Sequence, residues 1–111
     1  MTARVPELLR ELEGFYPGSR DYQQSISNAQ VRYKVFAQNS LRRKLVIQNI
    51  GPDPIEWGAD DVTFGTGIRI VAGGNLLDDS QTWPGEVWVC AGTAPVGGID
   101  VRAREEWLSR G

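Results

Sequence analysis

From about residue 24 onward, apolar residues recur at every second position in short runs, and each run stops at a cluster of turn residues. Ala29, Val31, Tyr33, Val35 and Ala37 alternate with Gln30, Arg32, Lys34 and Phe36, which gives one apolar and one mainly polar face. A period of two belongs to extended strands with a half-buried sheet face. Lys44 to Gln48 forms a second run, ended by Asn49-Ile50-Gly51-Pro52-Asp53-Pro54, where two prolines and a glycine stop any ladder. Ile55 to Trp57, Val62 to Phe64, Gly67 to Val71, Leu76-Leu77, Glu86 to Ala91 and Ile99 to Ala103 continue the series. Seven or eight short strands at a spacing of roughly 8–12 residues predict an all-β fold, an antiparallel β-sandwich or jelly-roll-like domain. No helix-length segment separates these strands, which argues against a parallel α/β sheet.

Residues 1–23 read differently and are expected to form an N-terminal arm. Val5, Leu8, Leu9 and Leu12 fall at i, i+3, i+4 and i+7, along one face of a short amphipathic helix. Pro6 suits the first turn and Gly14 a stop. Phe15-Tyr16-Pro17-Gly18 then reads as an aromatic turn leading into the β-region. A lone helix shorter than about 12–15 residues is marginal in water, so the leucine face must dock, either on its own sandwich or on a neighbour. The expected organisation is therefore arm 1–23, β-domain 24–104 and a C-terminal tail 105–111.

Composition narrows the chemistry. The chain of 111 residues contains no histidine, which removes histidine-based triads, the usual general base near neutral pH and most zinc sites. Cys90, the only cysteine, lies in the apolar run Val87 to Ala91 and reads as a buried, inert thiol. Asp60-Asp61, Asp78-Asp79 and Glu105-Glu106 are adjacent carboxylates of a solvated surface; acid–base catalysis needs two groups converging across a cleft. The aspartate pairs lack the glycine-punctuated spacing of a calcium loop, and Gly65-Thr66-Gly67 and Gly73-Gly74 lack that of a phosphate loop. No enzyme activity, cofactor or metal is expected. A net charge of −2 gives no global attraction to nucleic acid or anionic lipid. No apolar run approaches the ~20 residues of a membrane span, and the first residues do not resemble a secretory signal. A soluble protein made in the cytosol is expected.

What remains are candidate contact residues. Arg42-Arg43-Lys44 is the one basic cluster, and two readings stand: protection of a strand edge, or pairing with an acidic partner surface. Among the four tryptophans, Trp57 and Trp88 sit in or at the end of strands. Trp83 before Pro84 and Trp107 near the end of the chain are the better interface anchors.

Asn39, Arg42-Arg43, Leu45, Ile47, Gln48-Asn49, Ile68, Ala72-Gly73-Gly74, Glu86-Val87-Trp88 and Val101 together resemble small β-sandwich accessory proteins of tailed-bacteriophage virions. The likeness spans roughly residues 38–104 and leaves residues 1–37 uncovered. It implies a capsid decoration or cement protein on the outer surface of a phage head, with tail, adaptor or fibre-base proteins as relatives. The implied partners are the major capsid protein and further copies of the chain, as a dimer or trimer, with no nucleic acid and no membrane. The residues expected to carry those contacts are Leu8, Leu9, Leu12, Phe15, Tyr16, Arg42, Arg43, Trp83 and Trp107. A carbohydrate-binding module using Trp83 or Trp107 is the competing reading.

Overall fold

The computed structural model describes residues 15–79 and 82–110. They form eight strands: β1 (Phe15–Ile26), β2 (Tyr33–Phe36), β3 (Arg42–Gly51), β4 (Ile55–Gly58), β5 (Ile68–Ile70), β6 (Asn75–Asp78), β7 (Val87–Ala91) and β8 (Ile99–Arg110). All strand pairs are antiparallel. Two four-stranded sheets result, ordered β1-β8-β3-β6 and β2-β7-β4-β5, and no helix occurs among the described residues.

The expected alternation decides which side of each sheet is buried. In β3, Leu45 and Ile47 point inward while Val46 and Gln48 point outward. Ile26, Ile99, Val101 and Ala103 join them from the first sheet. Val35, Phe36, Ile55, Trp57, Ile70, Val87, Val89 and Ala91 of the second sheet complete the same core. One shared core between the two sheets makes the fold β-sandwich-like, as a half-buried antiparallel sheet requires.

Five expectations need correction, and a sixth lies outside the described residues. Phe15 to Tyr22 is not a turn and lead-in but the first two-thirds of β1, paired residue by residue with β8 from Phe15↔Arg110 to Ile26↔Ile99. The boundary expected at 23/24 therefore falls inside a strand, and the expected tail from residue 105 is the second half of β8. The helix expected over residues 5–12 lies outside the described residues. Phe36, assigned to the polar face, is buried because a register shift between Lys34 and Phe36 turns two successive side chains inward. Val62 to Phe64 belongs to a turn-rich loop over the second sheet, with Val62 buried against Gly58 and Gly67.

Buried polar groups tie the loops down. The Asn49 amide donates to the Asp53 and Ile70 carbonyls at 2.9 and 3.0 Å, and its oxygen accepts from the Gly51 N–H at 2.9 Å. Glu56 accepts from the Gly65 and Gly67 N–H groups, both at 2.9 Å, and from the Arg69 guanidinium at 3.0 Å. Burial pushes the Glu56 carboxyl up, but these donors outweigh it and hold it below the usual carboxylate range. Cys90 pairs across the ladder with Glu56 and is buried, and desolvation raises its thiol above the usual range. That is the condition of an inert structural cysteine.

Candidate functional site

Residues singled out from distant parts of the chain meet at one end of the molecule. Arg42, which opens β3, is the ladder partner of Trp107 in β8, and Trp107 is in turn the partner of Gly18 in β1. The strand backbone of Phe15 and Tyr16 pairs with Arg110 and Ser109 at this same end. Trp83 joins them through its carbonyl oxygen, which accepts a hydrogen bond from Arg42. Leu8, Leu9 and Leu12 lie outside the described residues, in the segment that leads into β1 at this end.

Within the cluster the roles divide. Arg42 is buried and is not a surface contact, contrary to expectation. Its Nε donates to Glu105 Oε2 at 2.7 Å, Nη1 to the Trp83 and Gly85 carbonyls at 2.6 and 2.9 Å, and Nη2 to the Ala37 carbonyl at 2.9 Å. The planar five-donor fork is what makes such a junction possible. Through it, β3 and β8 of one sheet are joined to the chain segments that follow β2 and precede β7 of the other. Glu105 likewise departs from its expected place on a solvated surface: successive strand residues face opposite ways, so Glu105 turns inward while Glu106 turns out.

Arg43 keeps its expected exposure. Together with Pro17, Gly18, Lys44, Asp79, Glu106, Trp107 and Leu108 it lines a shallow groove of about 300 Å³. Neither Arg43 nor Lys44 forms an ion pair among the described residues. The Trp107 indole forms an aromatic wall. It lies so close to the Gly18 backbone that a Cβ there would stand 2.5 Å from its Cε2 atom. The Arg20 guanidinium sits 5.6 Å from the ring centroid, within cation–π range. Trp83 is 41% exposed, and its indole N–H donates to the Glu86 carbonyl at 3.0 Å, so the ring is held at the surface in one orientation.

The outer face of the first sheet continues from the groove as a ladder of charges. Arg104 bridges Asp21 and Glu106, both at 3.0 Å, and Arg102 reaches Asp100 at 3.3 Å. Sequence reasoning did not find Gly18, Lys44, Asp79 or Glu106 as groove residues. The alternation of Asp100, Arg102 and Arg104 with Ile99, Val101 and Ala103 was the available signal for the outer face, and it breaks at Glu105. The described residues contain no cluster of three or more potential metal-ligating side chains, and no described helix is long and apolar enough to cross a membrane.

No protein-family model, curated protein or solved structure matches this chain.

Proposed function

We propose that this chain is a structural virion protein, a decoration or cement protein that binds the major capsid protein on the outer surface of a phage head. In this reading it acts as a homo-oligomer and reinforces the shell against internal DNA pressure, without catalysis. The observation that carries the reading is the convergence of Arg43, Trp83, Trp107 and the start of β1 on one end of the sandwich. Aromatic and arginine side chains gathered in one patch are what an interface core uses. The strand order β1-β8-β3-β6 over β2-β7-β4-β5 is that of an eight-stranded jelly roll, an architecture found among viral capsid domains and lectins. The likeness of residues 38–104 to phage accessory modules supports the same assignment.

The mechanism is adhesion. Val5, Leu8, Leu9 and Leu12 precede β1 in the chain, and in this reading they dock on a neighbouring subunit. Each leucine buried there contributes about 1.5–3 kcal/mol before ordering costs. Modest contacts repeated over a symmetric shell become effectively permanent. In this reading Arg43 and Lys44, which form no ion pair among the described residues, pair with acidic groups on the capsid.

The test is co-sedimentation of the purified protein with phage shells that lack it, followed by imaging of the particles. Binding to the head, weakened by Arg43→Glu and by added salt, is expected. Finding the protein free in infected cells and absent from purified particles overturns the reading, and density on the tail replaces it with a tail, adaptor or fibre-base role. The fixed, exposed ring of Trp83 favours one second reading, a carbohydrate-binding module. Saturable quenching of tryptophan emission by a sugar, lost in Trp83→Ala, would establish that alternative.

A further inference from the structure

The four sheet edges of this molecule are protected very unevenly. Strands β2, β6 and β5 expose edges of 4, 4 and 3 residues, and short edge strands are one of the ordinary defences against unwanted pairing. Strand β1 exposes 12 residues, all paired to β8 on one side and, among the described residues, to no strand on the other. The charges that would normally guard such an edge are turned to its own sheet. Arg20 lies against the Trp107 ring, and Asp21 is ion-paired with Arg104 of β8. From Tyr22 to Ile26 the strand has neither charge nor proline nor glycine.

We infer that the β1 edge is a self-association surface, and that two copies of this chain pair β1 with β1 antiparallel to form one continuous eight-stranded sheet. A two-fold axis normal to the sheet keeps each face on its own side, so residues meeting across it have the same parity. An axis through Arg20 or Asp21 sets like charges opposite each other, which is destabilising. An axis through Ser19 draws Pro17, which lacks a donor, into the middle of the ladder. An axis through Tyr22 avoids both. It sets Asp21 against Gln23 of the second copy, Arg20 against Gln24 and Ser19 against Ser25. It also brings the two Tyr22 rings side by side, and it leaves Pro17 beyond the paired region. The occupant of this edge is thus a second copy, in the Tyr22-centred register. The inference supplies the interface for the homo-oligomer of the reading above, and it holds or fails without any capsid present.

Sedimentation over a concentration series tests it on the full chain, with substitutions at the exposed Gln23. The protein as it stands is expected to dimerise. Gln23→Lys faces Asp21 of the second copy twice per dimer and tightens the dimer, whereas Gln23→Glu loosens it. Two symmetric cross-strand pairs change the dissociation constant by roughly 2- to 30-fold in each direction. A species that stays monomeric at every concentration, a trimer, or a dimer that responds identically to both substitutions overturns the inference. Capsid binding by a protein that is monomeric in solution overturns the β1 interface alone and leaves the decoration reading standing.

Discussion

Arg42 illustrates how little a side chain's identity says before its position in a sheet is known. As one of three consecutive basic residues it reads as surface charge, yet its neighbour Arg43 takes that role while Arg42 spends its donors on Glu105 and three carbonyls. Removing it leaves a buried carboxylate and three orphaned acceptors, and breaking a buried pair from one side costs about 3–5 kcal/mol. Arg42→Ala is therefore expected to lose that much stability in urea unfolding, with Arg42→Lys recovering only a part, since an ammonium cannot reproduce the fork. Arg43→Ala is expected to change stability little. Glu56 makes a second prediction, on pH. Its folded-state carboxyl lies below the 4.5 of the free side chain, so its contribution is complete above that value and disappears as pH falls through the lower, folded-state one. Unfolding midpoints measured from pH 6 downward should fall more steeply for the native protein than for Glu56→Gln, which has no proton to gain.

Strand existence was legible from the sequence wherever a strand alternates cleanly, as in Lys44 to Gln48 and Ile99 to Ala103. It was not legible in the two longest strands at their outer halves. Pro17 and Gly18 announce a turn in any local reading, yet β1 runs straight through them. It is an edge strand, where a missing donor is tolerated, and the Trp107 ring covers the glycine. The run Arg104-Glu105-Glu106-Trp107 announces a solvated tail. Only cross-strand partners in β1 and β3 turn it into sheet, and those, from Gly18 opposite Trp107 to Val46 opposite Arg104, lie 58 or more positions away in the chain. Non-local pairing of this kind leaves no local signature. Gly18 gives the corresponding test: Gly18→Val must displace the indole. The expected outcome is a red shift of tryptophan emission and a loss of about 1–3 kcal/mol, the usual range for overpacking, read by fluorescence-detected unfolding.

The molecule measures 50 × 27 × 18 Å, and everything singled out as a contact residue within its described part lies toward one end of the sheets. That placement could not be read from the chain, because it depends on β1, β3 and β8 lying side by side. It also shows where a truncation has to stop: removing residues 1–14 spares β1, whereas cutting to residue 20 destroys half of it. Loss of residues 1–14 is expected to leave the melting temperature unchanged and to abolish shell reinforcement, measured as the temperature at which DNA escapes from decorated particles. A lower melting temperature with full decoration would instead show that the segment packs on its own sandwich.

Strand β8 lies between β1 and β3 in the sheet, although it follows both by some fifty to eighty positions in the chain. During synthesis β1 therefore waits for β8, the one strand it pairs with among the described residues. At about 5–20 residues per second the wait is on the order of 4–17 seconds, with Ile26, and Leu45 and Ile47 once they are made, lacking their β8 neighbours until it ends. Rapid sequential assembly on the ribosome is closed to this topology, so a chaperone that shields those few side chains should raise its yield more than one that acts on the finished fold.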